Sequence, residues 1–275
     1  MNPITVLGAS GFIGSALVKK LEQTGTEYFA PGRDETLSGS LGDVIYCIGL
    51  TADFRSHPFE TVEAHVCHLL RILRDCDFTS LVYLSSARVY QKQKGPVREE
   101  DPIQVSALDH NDLYNISKIM GESLALASGK KIKVVRLSNV YGDDFTSQNF
   151  LPSLIREAVS KGKVTVHTAP EVEKDYVSIQ DVVEGLLKIA AGAGQRIYNL
   201  ASGMNVSNRA LIQKISELTG CEAMFDPGAP TTTFPVINID RIRAEFGFRP
   251  RYILDDLSKL VDSYKKHSAG GPVGR

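Results

Sequence analysis

The stretch "ITVLGASGFIG", Ile4 to Gly14, decides the fold. Ile4–Leu7 is a short apolar run, and a helical pattern begins at Phe12 and continues to Thr24. Gly8, Gly11 and Gly14 stand where the two meet. Gly8 suits a tight turn out of a strand. Gly11 lets a pyrophosphate approach the backbone, whose N–H groups and helix dipole favour anions. Gly14 permits close helix–sheet packing. The spacing is G-x-x-G-x-x-G, not the commoner G-x-G-x-x-G. A packing turn without a ligand would carry the same glycines, but the strand–turn–helix context favours a dinucleotide.

Outward from this turn, short apolar runs alternate with helical patterns. Strands are expected at Ile4–Leu7, Glu27–Ala30, Val44–Ile48, Ser80–Leu84 and Ile132–Leu137. Each is apolar almost throughout, as strands buried on both faces of a parallel sheet are. Helical patterns cover Phe12–Thr24, Pro58–Asp75 and Asp109–Ser128. The alternation predicts an α/β protein with a doubly wound parallel sheet, a Rossmann fold. One interval is short. "PGRDETLSGSLGD", between Ala30 and Val44, cannot hold a strand–helix–strand–helix passage, so a unit is missing or reduced to a loop.

After about residue 140 the texture changes to short strands ("VTVH", "KDYVS") among helices. Residues 1–142 are expected to form the dinucleotide-binding core, with further core segments around 175–200. Residues 143–265 then form most of a small mixed C-terminal substrate lobe, interleaved with the core, and 266–275 a flexible tail.

The 275 residues are 43% hydrophobic and carry a formal net charge of -1, so no global basic field draws them to nucleic acid or a membrane. No apolar run approaches the about 20 residues of a membrane span, and no signal-peptide pattern opens the chain. The expectation is a cytoplasmic protein. Cys47, Cys67, Cys76 and Cys221 form no C-x-x-C pair and read as reduced thiols. His65, Cys67 and His68 could suggest a metal, but no further ligand cluster completes a site. An amphipathic helix with the stripe Val62, Val66, Leu69, Leu70 and Leu73 explains them, and no metal is expected. Arg156, Lys161 and Lys163 read as a solvated helix end, and Asp112 and Glu122 as helix-surface charges.

Two further stretches carry chemistry. "LVYLSSARVY", Leu81–Tyr90, is an apolar strand that stops at Ser85 and Ser86. "DLYNISKIMGE" places Tyr114 and Lys118 four apart, on one helix face. A phenol titrates near 10, too high for acid–base work at neutral pH, and a nearby ammonium lowers it. Lys118 can do this and can also hold a ribose hydroxyl. In "APGRDE", Arg33 can pair with a 2′-phosphate, which favours NADP(H) over NAD(H). Asp34 reads either as a ribose-binding acid or as part of a turn, and Arg33 could also be a solvated loop charge.

Together these stretches resemble the extended short-chain dehydrogenase/reductase family, in its nucleotide-sugar epimerase, reductase and dehydratase branch. "GASGFIG", "DVIYCIG", "YLSSARVY", "YNISK", "VVRLSNVYG", "KDYVSIQDVVEGLL" and "IDRIRAEFGFRPRYILDDLSKLV" are similar to its successive segments. The resemblance implies Ser86, Tyr114 and Lys118 as the catalytic set, with Ser86 preferred to Ser85 by counting back from Val89-Tyr90. It implies a cofactor lined by Gly8, Ser10, Gly11, Phe12, Ile13, Gly14, Arg33, Ile48, Gly49, Tyr114, Lys118 and Leu137. It implies a nucleotide-diphosphate sugar substrate met by Ser86, Arg88, Asn139 and Lys174. Lys174 stands where the family often has arginine, so its grip on a phosphate is less directional. Dehydratases of the family place Asp-Glu after the hydroxyl; here Ala87-Arg88 follows, which disfavours dehydration. Arg88 touches the sugar or a phosphate, or is a surface charge.

The implied activity is reduction of a 4-keto sugar with NADPH. Alternatives are epimerisation with tightly held NAD, and a cofactor-binding regulatory protein without turnover. The helix Pro58–Asp75 and the Tyr114 helix form a dimer interface in many relatives, so their apolar faces read as a homodimer contact or as burial against the sheet.

Overall fold

The computed structural model describes residues 3–33, 35, 37, 39–50, 54–232 and 234–269. Asp34 and the segment 270–275 lie outside the described residues. The strands are β1 (Ile4–Leu7), β2 (Tyr28–Phe29), β3 (Asp43–Tyr46), β4 (Ser80–Ser86), β5 (Ile132–Leu137), β6 (Asn139–Tyr141), β7 (Lys163–Val166), β8 (Glu173–Ser178), β9 (Ile197–Leu200), β10 (Asn205–Ser207) and β11 (Glu222–Phe225). The α-helices are α1 (Phe12–Thr24), α2 (Pro58–Val62), α3 (His68–Asp75), α4 (Leu113–Ala127), α5 (Phe150–Lys161), α6 (Ile179–Gly192), α7 (Asn208–Thr219), α8 (Asp240–Phe246) and α9 (Ile253–Ala269).

Six strands form one parallel sheet in the order β2-β1-β3-β4-β5-β9. Successive strand side chains alternate between faces. Val6, Ile45, Val82 and Val135 therefore pack on one face with Leu17, Leu21, Val182 and Leu186 of α1 and α6. Leu7, Val44, Tyr46, Leu81, Tyr83 and Val134 pack on the other with Leu69, Ile72 and Ala125 of α3 and α4. Both faces are dry, and that is why the strands read as unbroken apolar runs.

The chain leaves β1 for β2 on one side and returns to β3 on the other. That reversal opens a crevice beyond the carboxyl ends of β1 and β3, the usual ligand position of open α/β sheets. β2 is shorter than the expected Glu27–Ala30, and between it and β3 the described residues hold only an isolated bridge, Ser40 to Asp77. The sheet stops there.

A second body packs α5, α7 and α9 around Leu154, Ile155, Leu211, Ile215, Leu257 and Val261. It carries the sheet β10-β8-β6 and the pair β11-β7. The chain crosses between the bodies: β8 belongs to the second, while α6 and β9 return to the central sheet. The expected tail from 266 is helical as far as Ala269, because α9 runs on to that residue.

The expected helix Pro58–Asp75 is interrupted by a π turn, Glu63–Cys67. Its extra residue turns the later face. The buried stripe is Thr61, His65, Leu69, Ile72 and Leu73, while Leu70 is exposed and Val62 and Val66 are only half-buried. Among the described residues no helix is long and apolar enough to cross a membrane, and no group of three or more His, Cys, Asp or Glu could hold a metal ion.

Candidate active site

The glycine turn joins β1 to α1 at the crevice. Gly8 has φ +84°, a left-handed value that suits glycine. A Cβ on Gly14 would stand 2.2 Å from the Gly8 carbonyl oxygen, so its glycine is required by helix–strand packing. Gly11 is different. It caps α1 with φ −77° and ψ 169°, which any residue adopts. A Cβ there would meet only the Gly8 oxygen, at 3.4 Å. Neither backbone nor packing demands glycine at 11. The bare backbone leaves a shallow cradle at the N-terminus of α1, whose free N–H groups and dipole suit an anion such as a pyrophosphate. Ser10 and Gly11 are exposed and Phe12 and Ile13 half-buried around this cradle. Ile48 and Gly49 follow β3 on its far side, and a Cβ on Gly8 would lie 3.0 Å from the Ile48 nitrogen.

Ser86 ends β4, and its side-chain oxygen accepts from the backbone N–H of Arg88 at 3.2 Å. Tyr114 opens α4 and is 4% exposed. Its ring lies 5.4 Å from Phe54 and 5.2 Å from His65, edge-on to the latter. Burial pushes the Tyr114 phenol above its ordinary value, while the Ser86 hydroxyl and the Arg88 guanidinium pull it back. Lys118 is one turn further along the same helix face and equally buried. Its ammonium donates to the Leu84 carbonyl at 2.9 Å, and a Cβ on Gly49 would lie 3.4 Å from Nζ. Burial brings the Lys118 pKa down to about 7, against the opposing charge of Glu122. Arg88 is one cation that lowers the Tyr114 phenol.

His65 was not singled out by the sequence as part of this wall. The Leu50 N–H donates to its Nε2 at 3.3 Å, so Nδ1 carries the proton and donates to Ser117 Oγ at 2.8 Å. The Ser117 hydroxyl in turn donates to the Tyr114 carbonyl at 2.9 Å. Burial, then the charge of Lys118, hold His65 neutral, with its pKa down to about 2. A histidine inside an otherwise apolar helix stripe was the available signal, and the π turn hid it by shifting the stripe.

The reading of Asp112 and Glu122 as surface charges is corrected by their burial. Glu122 receives Arg136 Nη2 at 2.6 Å and Nε at 3.0 Å, and the Ser85 hydroxyl at 2.5 Å. Arg136 also donates to Tyr90 Oη at 2.6 Å, and Tyr90 donates to Asn199. This dry network ties β4, α4, β5 and β9 together directly beneath Ser86. Asp112 accepts from the Ser106 N–H at 2.7 Å, from Asn115 at 3.0 Å and from Lys92, and so fixes the entry to α4. A period of 3.6 cannot show these partners, because those of Glu122 come from β4 and β5 and those of Asp112 include Lys92 and Ser106 from the loop before α4.

Of the other expected positions, Arg33 is exposed in the turn after β2, and Leu137 is buried at the end of β5. Asn139 donates to the Asp175 carbonyl at 2.8 Å, which places it on the β6–β8 pairing. Lys174 comes from the second body. Its ammonium lies 4.3 Å from the Phe150 ring centroid and 5.7 Å from that of Phe234. Burial and then the Arg88 charge lower its pKa. Arg156 is spent internally, donating to the Phe145 and Ser147 carbonyls.

The fold defines a Rossmann-type α/β protein with a second, smaller body. Residues 43–201 match the family model "NAD dependent epimerase/dehydratase family", and the chain belongs to that family. It is 28% identical over 221 residues to a dTDP-4-dehydro-6-deoxyglucose reductase of Escherichia coli, covering 75% of this chain and 67% of that protein. The fold is similar to that of MoeE5 in complex with UDP-glucuronic acid and NAD, with a TM-score of 0.80 and 22% identity over 97% of this chain and 99% of that one. It is also similar to that of RMD from Pseudomonas aeruginosa complexed with NADPH, with a TM-score of 0.81 and 21% identity over 97% of this chain and 100% of the other.

Proposed function

We propose that this chain is an enzyme acting on nucleotide sugars, and that it reduces a 4-keto sugar with NADPH. The observation that carries the reading is Tyr114, buried at the carboxyl end of the sheet near Ser86 and one helical turn from the buried Lys118. A protonated phenol is the form that can give a proton to a carbonyl oxygen. The similarity to a named 4-keto-6-deoxy-sugar reductase supports the direction. One fold neighbour holds NAD and another NADPH, so the preference for NADPH rests on Arg33.

The bound nicotinamide supplies the hydride. The protein's residues divide the rest. Gly11 and the N-terminus of α1 seat the pyrophosphate, and Lys118 sits where it can hold the adjoining ribose. Ser86 and Tyr114 address the carbonyl oxygen together. As the carbonyl carbon gains the hydride, Tyr114 Oη gives its proton to that oxygen and is left as phenolate. Ser86 donates to the same oxygen and stabilises its charge. Lys174, with Phe150 and Phe234 under it, meets the substrate diphosphate, and Asn139 borders the sugar.

Tyr114→Phe tests this. Turnover with NADPH and a nucleotide-activated 4-keto sugar should fall by a factor of about 10²–10⁴, with cofactor affinity unchanged. Unchanged turnover removes Tyr114 from the mechanism. The rival reading, epimerisation, predicts that the purified protein carries stoichiometric NAD; exchangeable NADPH consumed with a keto sugar favours reduction.

A further inference from the structure

His65 is wholly buried where three parts of the site meet. Its ring lies edge-on to Tyr114, with 5.2 Å between centroids. On one side its Nε2 accepts from the Leu50 N–H at 3.3 Å. On the other its Nδ1 donates to Ser117 Oγ at 2.8 Å, and Ser117 donates to the Tyr114 carbonyl at 2.9 Å. The first arm holds the segment that leaves β3. A Cβ on Gly8 would reach the Ile48 nitrogen at 3.0 Å, and a Cβ on Gly49 would lie 3.4 Å from both His65 Nε2 and Lys118 Nζ. This segment thus runs from the glycine turn to Lys118. The second arm holds the first turn of α4, from which Tyr114 projects.

The fold takes trouble to aim this ring. His65 sits in the middle of the π turn Glu63–Cys67, a form that interrupts helix regularity and recurs at functional sites. Two phenols pin the turn to the sheet. Tyr46 Oη donates to the Ala64 carbonyl at 2.6 Å, and Tyr83 Oη to the His65 carbonyl at 3.1 Å. α4 passes the turn at Gly121, where a Cβ would stand 2.8 Å from the His65 carbonyl oxygen. An apolar side chain would fill the same stripe position. A neutral imidazole adds one donor and one acceptor at a fixed spacing, and the two arms use both. We infer that His65 is a positioning residue with two separable duties. Its Nε2 sets the Gly49–Leu50 segment for the cofactor, and its Nδ1, through Ser117, sets Tyr114 for proton transfer. This rests on the proposed reading of Tyr114 as proton donor and of Gly49 as a wall of the cofactor site.

The test cuts one arm at a time. A glutamine amide reaches the place of Nε2, and an asparagine amide that of Nδ1. His65→Gln should therefore keep the Leu50 bond and lose the Ser117 bond, and His65→Asn the reverse. Small displacements of a reacting group cost up to about 10²-fold in rate, so His65→Gln should lower kcat by about tenfold or more while NADPH affinity holds. His65→Asn should weaken NADPH binding more than it lowers kcat. His65→Phe keeps only the ring and should lose both. Ser117→Ala leaves the π turn intact and should repeat the His65→Gln pattern. NADPH fluorescence measures affinity, and turnover of a nucleotide-activated 4-keto sugar at saturating NADPH measures kcat. Exchange of the Leu50 amide, followed by NMR in full-length protein labelled with ¹⁵N-leucine, reads the first arm directly. It should be slow in the parent protein and His65→Gln, and faster in His65→Asn and His65→Phe. The inference is overturned if His65→Gln and His65→Asn lose affinity and kcat in the same proportion, as a merely structural residue would. It is also overturned if His65→Phe behaves like the parent protein, or if Ser117→Ala leaves kcat unchanged. Should His65→Phe fail to fold, His65→Gln and Ser117→Ala decide. If the parent protein turns over no nucleotide sugar, that counts against the proposed function. The inference is then decided by NADPH affinity, which must fall in His65→Asn and hold in His65→Gln.

Discussion

Gly11→Ala and Gly14→Ala separate a glycine kept for a ligand from one kept for packing. At Gly14 the added methyl would stand 2.2 Å from the Gly8 oxygen and 2.8 Å from Ala9 Cα. Both are backbone atoms, so α1 must lift from β1. Overpacking of this kind costs about 1–3 kcal/mol, or roughly 2–12 °C in Tm for a chain of this size. At Gly11 the nearest contact would be 3.4 Å and the backbone is already extended. Removing glycine's freedom in the unfolded chain contributes about 0.4–1 kcal/mol, and alanine as an N-cap costs a similar amount. The two offset, so Tm should stay within about 2 °C. On the proposed seating of the cofactor, the methyl nevertheless fills the cradle where the pyrophosphate would approach. We expect NADP(H) and NAD(H) to bind at least about tenfold more weakly, a loss of about 1.4 kcal/mol. Thermal unfolding without ligand and cofactor titration by NADPH fluorescence measure the two effects. If Gly11→Ala binds cofactor like the parent protein, the cradle argument fails. If it unfolds as easily as Gly14→Ala, Gly11 is a packing residue.

Three further outcomes follow from the same geometry. Glu122→Gln leaves Arg136 charged in a dry network; breaking such a pair costs about 3–5 kcal/mol, and Glu122→Leu combined with Arg136→Met should cost less than the single change, by thermal or urea unfolding. Lys118 is depressed to about 7, so above that pH the unfolded chain holds a proton that the folded chain has lost. Stability of the cofactor-free protein should therefore rise with pH from about 7 toward the ordinary lysine range, and Lys118→Met should flatten that rise; an unchanged pH profile would refute the burial argument. Arg33 is exposed, so Arg33→Ala should leave stability within about 0.5 kcal/mol and weaken NADP(H) much more than NAD(H). Equal weakening would remove the 2′-phosphate assignment.

Local patterns that report burial or turn geometry were legible in the sequence. Val44–Tyr46 and Leu81–Leu84 are apolar without alternation because both faces of the sheet are covered, so a parallel sheet could be read from them. Gly8, Gly11 and Gly14 announced the turn because each removes a side chain at a fixed step of the strand-to-helix path. Tyr114 and Lys118 could be placed on one face because helix geometry puts residues four apart side by side.

Only the tertiary structure decided where charges point and which of them are buried. Lys118 shares a face with Tyr114, but its ammonium turns to the Leu84 carbonyl, a partner from another element. Glu122 looks like a surface charge in its own helix and is neutralised by Arg136, fourteen positions on and in a strand. The π turn at Glu63–Cys67 shifted the buried stripe and brought His65 against Tyr114, a displacement that no periodic pattern shows. Arg88 reads in the sequence as a substrate contact or a surface charge, and the fold sets its guanidinium against the Tyr114 and Phe54 rings. The physical reason is the same in each case. Backbone periodicity is a local property carried by neighbouring residues, whereas a long polar side chain goes to whatever unpaired group lies within its reach, and the packing of distant segments supplies that group.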